Sequence, residues 1–161
     1  MTTPLQQFRI DELERFKAEH PELPYPESFL NKKDRYSDKK ANGLTQLIKR
    51  WLQFQGYQCE RISTTGRPID QTKVVGDVVG RKYRIGSITW IPGTSTKGSA
   101  DLSATCKGRS FKIEVKIGKD VQSDNQKKYQ QDIERAGGYY LIARDFNSFA
   151  EQFTEIITKL I

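Results

Sequence analysis

Hydrophobic and polar residues alternate along this chain in patterns that predict both helices and strands. From Asn42 the apolar residues recur at helical spacing until Gly56 ends the pattern, which predicts an amphipathic helix packed on a core. Between Phe111 and Ile117 the alternation has a period of two, which is typical of a half-buried strand with one face free for chemistry. The apolar positions of the helix are Leu44, Leu47, Ile48, Trp51 and Leu52.

Shorter patterns complete the fold prediction. Ser123 begins a further helix, with Gln126 three residues later as a candidate capping-box partner, and Gly137 and Gly138 end it. A last amphipathic helix is predicted to direct its apolar residues toward the core, namely Phe149, Phe153, Ile156, Ile157 and Leu160. Strands are predicted at YQCERI, YRIGSITWI, DLSATC, RSFKIEVKI and YYLIA. Together these elements predict an α/β fold with a central mixed β-sheet flanked by helices.

The pattern also predicts a division of the chain into a leader over residues 1–40 and a domain over residues 41–161. The leader contains a short helix candidate from Ile10 to His20, followed by prolines that interrupt regular structure. A basic insertion is predicted around residues 64–90, and it is either a flap over nucleic acid or a solvated hairpin. Its basic residues are Arg67, Lys73, Arg81, Lys82 and Arg84.

Composition and net charge limit the partners and the metal ligands that this chain can have. The chain has 161 residues and a net charge of +7, and residues 31–161 carry 24 Lys and Arg against 14 Asp and Glu. This excess favours a polyanionic partner, nucleic acid in the first place, although charge that serves only solubility is an alternative. The single histidine, His20, and two distant cysteines, Cys59 and Cys106, exclude a zinc site of Cys/His type within one chain. A metal would therefore be held by carboxylates and carbonyls, which favours Mg or Mn.

Neither an apolar run long enough to span a membrane nor a secretory signal is found in the sequence, so we expect a soluble, cytoplasmic protein without a membrane partner.

The candidate chemistry lies on a predicted hairpin. If Lys107 and Gly108 form a two-residue turn, Asp101 lies directly opposite Glu114, and Lys116 points to the same face. Opposed carboxylates on a half-buried sheet are destabilising unless a cation lies between them, so this register indicates a metal site. A three-residue turn would place Asp101 opposite Val115 instead, and the sequence leaves the two registers open.

Two carboxylates, a lysine and a basic surface match the needs of phosphodiester hydrolysis. The carboxylates would hold a divalent metal, and the lysine would steer the attacking water and offset negative charge. Each motif also has a structural alternative. A Glu-x-Lys alternation alone is typical of a solvated strand, and Gln126 is equally well explained as a helix cap. Cys106 is interpreted as a small core residue.

The stretch from residue 97 to residue 146 resembles the catalytic half of the PD-(D/E)XK nuclease superfamily, and most closely its VRR-NUC-like branch, which is related in fold to Holliday junction resolvases. The matching residues are Gly98 and Asp101, Glu114 and Lys116, Gln126, and Gly137 and Gly138. The resemblance implies a restriction-endonuclease-like core. It further implies that Asp101, Glu114 and the Val115 carbonyl bind Mg or Mn, that Lys116 serves the attacking water and that Gln126 orients the site.

This sequence departs from the family pattern at two positions. Asn42 stands where the family usually has a glutamate ligand, with Asp38 and Glu60 as candidate replacements, and Ala100 stands in place of the proline of the family name. Asn42 is therefore a candidate additional site residue. Contacts to nucleic acid are predicted for the basic residues Arg61, Arg67, Lys97, Lys119 and Lys127.

The resulting expectation is a metal-dependent endonuclease that hydrolyses DNA, with a structure-specific substrate as one option. A nuclease-fold DNA-binding module with weak or no catalysis is the main alternative, and a basic scaffold without a nucleic-acid role is the third. Such folds often act as dimers, so a homodimer is a further expectation, although the sequence indicates no interface.

Overall fold

The computed structural model describes residues 2–23, 37–62, 66–91, 93 and 96–160. Secondary structure within these ranges comprises four helices and eight strands. In chain order they are α1 (Pro4–Glu19), α2 (Ala41–Phe54), β1 (Gln58–Arg61), β2 (Arg67–Asp70), β3 (Lys73–Gly76), β4 (Lys82–Ile85), β5 (Ile88–Ile91), β6 (Leu102–Cys106), β7 (Arg109–Val115), α3 (Asp124–Arg135), β8 (Tyr139–Ala143) and α4 (Phe146–Lys159).

The chain forms two compact units. The core unit consists of Met1–Ile62 and Gly98–Ile161, and the arm unit consists of Ser63–Lys97. The predicted insertion around residues 64–90 falls within the arm unit. The boundary predicted at residue 40 does not coincide with this division, because α1 belongs to the core unit.

A mixed four-stranded sheet lies at the centre of the core unit, in the order β1-β6-β7-β8. Strand β6 pairs antiparallel with β1 and β7, and β8 pairs parallel with β7. Cys106 pairs with Arg109 across a turn in which Lys107 and Gly108 have φ values of 50° and 72°. Positive φ at both central residues is the hallmark of a type I′ hairpin. The predicted two-residue turn, and with it the predicted register, is confirmed.

Helices α2 and α4 bury their apolar faces against one side of this sheet. The predicted apolar stripe of α2 is buried at all five positions, and Phe146, Phe149 and Phe153 of α4 are each no more than 2% exposed. The ring of Trp51 lies 5.5 Å from that of Phe153. Burial of these rings supplies most of the apolar core. Both helices agree with the sequence prediction.

Helix α1 is longer than predicted and is packed on the core. It begins at Pro4 and not at Ile10, because Thr3 and Gln6 form a capping box ahead of a first-turn proline. Phe8 is 2% exposed and its ring lies 5.5 Å from that of Phe54. The later part of the predicted leader, including its prolines at positions 24 and 26, lies outside the described residues.

The arm unit contains four short strands where the sequence analysis predicted one. Gly86 and Ser87 divide the predicted strand YRIGSITWI into β4 and β5, and β2 and β3 precede it as partners. Their short, mixed polar and apolar sequences carry no clear periodicity, which is why the pattern missed them. Throughout the parts of the chain described, we find no helix with the length and apolar character that a membrane span requires.

Candidate metal-dependent active site

Glu114 lies on the face of β7 opposite the apolar core, yet its side chain is buried. The residue is only 3% exposed. Its Oε1 accepts a hydrogen bond from Gln126 Nε2 at 2.5 Å and lies 3.1 Å from Lys116 Nζ. Its Oε2 is also buried and has no hydrogen-bond partner among the described residues. A buried acceptor left unpaired costs free energy, so this oxygen is a natural position for an additional positive ligand.

Asp101 lies across the hairpin from Glu114. Leu102 pairs with Ile113, so the next position of the same register places Asp101 beside Glu114. Asp101 Oδ2 accepts a hydrogen bond from the Val115 N–H at 2.9 Å, and its backbone carbonyl accepts one from the Ile62 N–H at 2.8 Å. These two bonds fix the carboxylate at the end of β6, where it faces the Glu114 side of the hairpin.

Burial raises the pKa of the Glu114 carboxyl, and the negative charge of Asp101 raises it further. The Lys116 ammonium opposes this rise through its hydrogen bond and its positive charge. A carboxyl with a raised pKa in the absence of a metal gains most from a cation, because the cation restores the ionised form.

Lys116 is buried as well, being 6% exposed. Its Nζ lies between Glu114 Oε1 and Asp120 Oδ2, which is 3.4 Å away. Its backbone N–H donates to the Ala143 carbonyl at 2.9 Å, which continues the pairing of β7 with β8. The alternative in which Glu114 and Lys116 are solvated strand residues is wrong, because both side chains are buried.

Gln126 caps α3 and also contacts Glu114. Its Oε1 accepts the Ser123 N–H at 2.9 Å and its own N–H donates to Ser123 Oγ, which forms the capping box of α3. Its Nε2 donates to Glu114. Because the cap fixes the amide oxygen, the amide NH₂ is directed toward the carboxylate.

Gly98 lies close to the first turn of α3. Its φ is +85°, and a Cβ at this position would lie 2.5 Å from the backbone carbonyl of Asn125. Only glycine satisfies both the conformation and the space. The contact holds the first turn of α3, which carries Gln126, next to the loop that leads to Asp101.

The oxygens available to a cation are those of Asp101 and Glu114, together with the Val115 carbonyl that the family resemblance adds. Within residues 2–23, 37–62, 66–91, 93 and 96–160, no group of three or more His, Cys, Asp or Glu side chains converges on one point. Two carboxylates, one of which has a buried unpaired oxygen, fit a hard ion that keeps several waters, as Mg does. The donor set therefore fits Mg or Mn chemically.

Asn42 makes a different contact from the one that the family position implies. It is exposed near the start of α2, and its Oδ1 accepts a hydrogen bond from Arg61 Nη1 at 2.7 Å. Asn42 was predicted as a candidate additional site residue and Arg61 as a contact to nucleic acid, and the structure pairs the two with each other. Asp38 is half-buried and Glu60 is exposed on β1.

The predicted nucleic-acid contacts are divided between the two units. Arg61, Lys119 and Lys127 belong to the core unit, whereas Arg67 and Lys97 belong to the arm unit. All five are exposed. Lys127 Nζ lies 3.3 Å from Asp124 Oδ1 in an exposed pair, which is worth little in water.

Two residues at the site were missed by the sequence analysis. Asp120 contacts Lys116 after the turn at Gly118, a proximity with no signal in the hydrophobic pattern. The buried Tyr140 stands beside Lys112 in the β7–β8 register, and its pKa is raised first by burial and then by the charge of Glu114. Only knowledge of the parallel pairing would have identified it. Cys106, predicted as a core residue, is fully buried, and burial raises its pKa to about 12.

Comparison with known proteins found no matching family model, no matching curated protein and no matching solved structure.

Proposed function

We propose that this protein is a metal-dependent deoxyribonuclease with a restriction-endonuclease-like core of the PD-(D/E)XK type. One observation carries the proposal: the buried Glu114 carboxylate contacts Lys116 and Gln126 with one oxygen and leaves the other oxygen unpaired. A buried Glu and Lys pair with no chemical role adds little to the stability of a sheet, because the desolvation of the two charges offsets much of their attraction.

Asp101, Glu114 and the Val115 carbonyl would hold Mg or Mn in this proposal. The metal, when bound, polarises the scissile phosphate and lowers the pKa of a bound water. Lys116 orients the attacking water and offsets the charge that develops on the phosphate. Gln126 acts as a positioning residue, because its bond to Glu114 Oε1 turns the carboxylate so that Oε2 is free for the metal.

DNA is the proposed substrate because the chain is strongly basic. Arg61, Lys119 and Lys127 are exposed on the core unit, where phosphate contacts would supply most of the binding free energy. A homodimer that cuts both strands, and a cytoplasmic location, belong to the proposal as well.

A DNA-binding module without effective catalysis is the second candidate. The contact of Asn42 with Arg61 favours it, since this position supplies no third carboxylate to the described cluster. The two candidates differ in whether Asp101 and Glu114 bind a metal.

Thermal unfolding in Mg or Mn separates the candidates. A metal at about 100 times its Kd stabilises the fold by about 2.7 kcal/mol, so we expect the Tm to rise on the order of 5 °C in the wild type. Glu114→Gln should abolish that rise, and Glu155→Gln on the exposed surface of α4 should retain it. A wild-type Tm that does not respond to either metal would exclude the enzyme and favour the module.

A further inference from the structure

The four strands of the arm unit form one continuous β-ribbon. Arg67 pairs with Ile91 in the β2–β5 pair, and Lys73 pairs with Ile85 in the β3–β4 pair. These two pairings have the same register, and between them the Gln71 N–H donates to the Ser87 carbonyl at 3.2 Å. At about 3.3 Å per residue, the ten steps from residue 67 to residue 77 give the ribbon a length of about 33 Å.

The tip of the ribbon is a rigid turn with apolar side chains. Asp77 Oδ1 accepts the N–H groups of Val79 and Arg81, and Gly80 takes the left-handed conformation with a φ of +82°. This three-residue loop leaves Val78 fully exposed and Val79 76% exposed. A tight turn normally carries Gly, Asn, Asp or Ser, so two valines on a fixed tip indicate a surface that contacts a partner.

The stem behind this tip is cationic. Its basic residues are Arg67, Lys73, Arg81, Lys82 and Arg84, all exposed. Among the described residues none of these five has a carboxylate partner, because the Asp70 and Asp77 side chains accept bonds from the turns at Thr72, Val79 and Arg81. Lys82 and Arg84 lie on one face of the ribbon, and Lys73 and Tyr83 lie on the other.

We propose that the arm unit is a DNA-binding β-ribbon whose cationic stem contacts phosphates and whose valine tip inserts as a wedge between base steps. A two-stranded ribbon fits into a groove of duplex DNA, and apolar wedges at such sites unstack and kink the duplex. This inference names how the DNA of the proposed function would be held, but it does not require that the protein cleave it.

Charge complementarity favours DNA over a membrane as the partner. Positive charge extends along both faces of the stem, which matches phosphates on the two sides of a groove. The two tip valines alone offer little apolar area for insertion into a bilayer, and the other exposed apolar side chains of the arm, which include Ile88 and Trp90, lie along the stem among its basic residues.

The test uses the full chain with Lys116→Ala, in EDTA, so that cleavage plays no part. Equilibrium binding to a duplex with internal 2-aminopurine would be measured from 50 to 200 mM salt. The paired variant Val78→Ser/Val79→Ser should lose the fluorescence rise that reports unstacking while its affinity changes less than about threefold. Val74→Ser, the same change on the exposed stem, should retain the rise.

Lys82→Gln/Arg84→Gln should weaken binding at least tenfold at 100 mM salt and reduce the salt slope by about 2, since each phosphate contact contributes about 0.9. The charge-matched control Lys107→Asn/Arg109→Gln, on the hairpin turn of the core unit, should leave the slope unchanged. The proposal would be overturned if Val78→Ser/Val79→Ser kept the full fluorescence rise, or if Lys82→Gln/Arg84→Gln bound the duplex with unchanged affinity. Binding of the arm to anionic lipid vesicles in preference to the duplex would also overturn it.

Failure of the arm proposal and failure of the nuclease proposal are distinguishable. If the protein cleaves DNA while its arm variants bind DNA normally, the nuclease proposal stands and the arm proposal is overturned. If the protein unstacks DNA through its arm but never cleaves it, the arm proposal stands and the nuclease proposal is overturned.

Discussion

Gln126 Nε2 donates to Glu114 Oε1 while Gln126 Oε1 accepts the backbone N–H of Ser123. One side chain thereby joins the N-terminal cap of α3 to the buried carboxylate of β7. The amide has no freedom to flip without the loss of one of these bonds, because its oxygen accepts and its nitrogen donates. The cap of a helix thus determines which carboxylate oxygen of Glu114 remains available.

This relationship predicts the effect of Gln126→Glu. The new carboxylate keeps an oxygen for the Ser123 N–H, so the cap survives, but it replaces a donor to Glu114 with a like charge. A lost hydrogen bond to a charged group is worth about 1.5 to 3 kcal/mol, so single-turnover cleavage should fall about 10- to 100-fold.

Ser123→Ala is the matched control for that experiment. It removes the hydroxyl of the cap, at a cost of about 1 kcal/mol in the free energy of unfolding, and leaves the backbone N–H that orients Gln126. Its cleavage rate should equal that of the wild type. Equal rate losses in the two variants would show that Gln126 acts only as a helix cap.

The raised pKa of Glu114 predicts how stability without metal depends on pH. The folded protein holds this proton more tightly than the unfolded chain, so protonated Glu114 favours folding below its ordinary pKa of 4.5. That contribution is lost as the pH rises through the raised value. Urea unfolding in EDTA should therefore show Glu114→Gln gaining stability relative to the wild type from pH 4.5 toward neutrality.

Bound metal should reverse this trend, because it favours the ionised carboxylate. The rise in Tm that Mn causes in the wild type should increase with pH over the same window. Two results would contradict the assignment of the Glu114 carboxyl to the site. One is a rise in Tm with Mn that does not depend on pH, and the other is a free energy of unfolding of Glu114→Gln that follows that of the wild type over the whole pH range.

Gly98 should tolerate no larger residue. In Gly98→Ala the left-handed conformation costs about 1 to 2 kcal/mol, and the new Cβ meets the Asn125 backbone at 2.5 Å. We expect a loss of at least 2 kcal/mol in urea unfolding and, because α3 shifts, a weaker metal effect. Gly108→Ala is the control, since its φ is also positive but the space around it is open. An equal loss in both variants would mean that conformation alone, and not the approach to α3, explains Gly98.

Asn42 is predicted to act through Arg61 and not through the metal. Asn42→Ala should leave the rise in Tm with Mn unchanged, because the amide oxygen already accepts from Arg61 at 2.7 Å. It should instead weaken DNA binding by a few-fold at low salt by releasing Arg61 from its fixed position. A smaller metal effect in Asn42→Ala would identify Asn42 as a ligand.

The sequence predicted the site where local chemistry determines the geometry. The sequence offered a two-residue turn at Lys107 and Gly108 as one of two possibilities, and the structure has that turn, which places Asp101 across from Glu114. The Ser123 and Gln126 spacing likewise predicted the start of α3. The turn and the capping box each depend on a few neighbouring residues, so the local sequence pattern is enough to propose them.

Burial and long-range contacts could not be predicted in the same way. A Glu-x-Lys strand is usually solvated, and only the pairing of β7 with β8 and the position of α3 explain why Glu114 and Lys116 are covered. The contact of Arg61 with Asn42 spans 19 residues and has no periodic signature. Helix α1 was predicted to start too late because its apolar contacts to the core come from few residues, chiefly Phe8 with Leu5, and leave no clear helical period.

Cleavage of labelled DNA in Mn or Mg tests the central claim most directly. The panel would comprise a four-way junction, a flap, a linear duplex and a single strand, each incubated with the wild type, Lys116→Ala and Lys112→Ala. Lys112 lies on the same face of β7, where its Nζ contacts Ser103 Oγ at 2.6 Å, so it is a matched control. The account predicts cleavage by the wild type and Lys112→Ala, with a loss of at least 100-fold in Lys116→Ala. Binding without cleavage by all three proteins would contradict it.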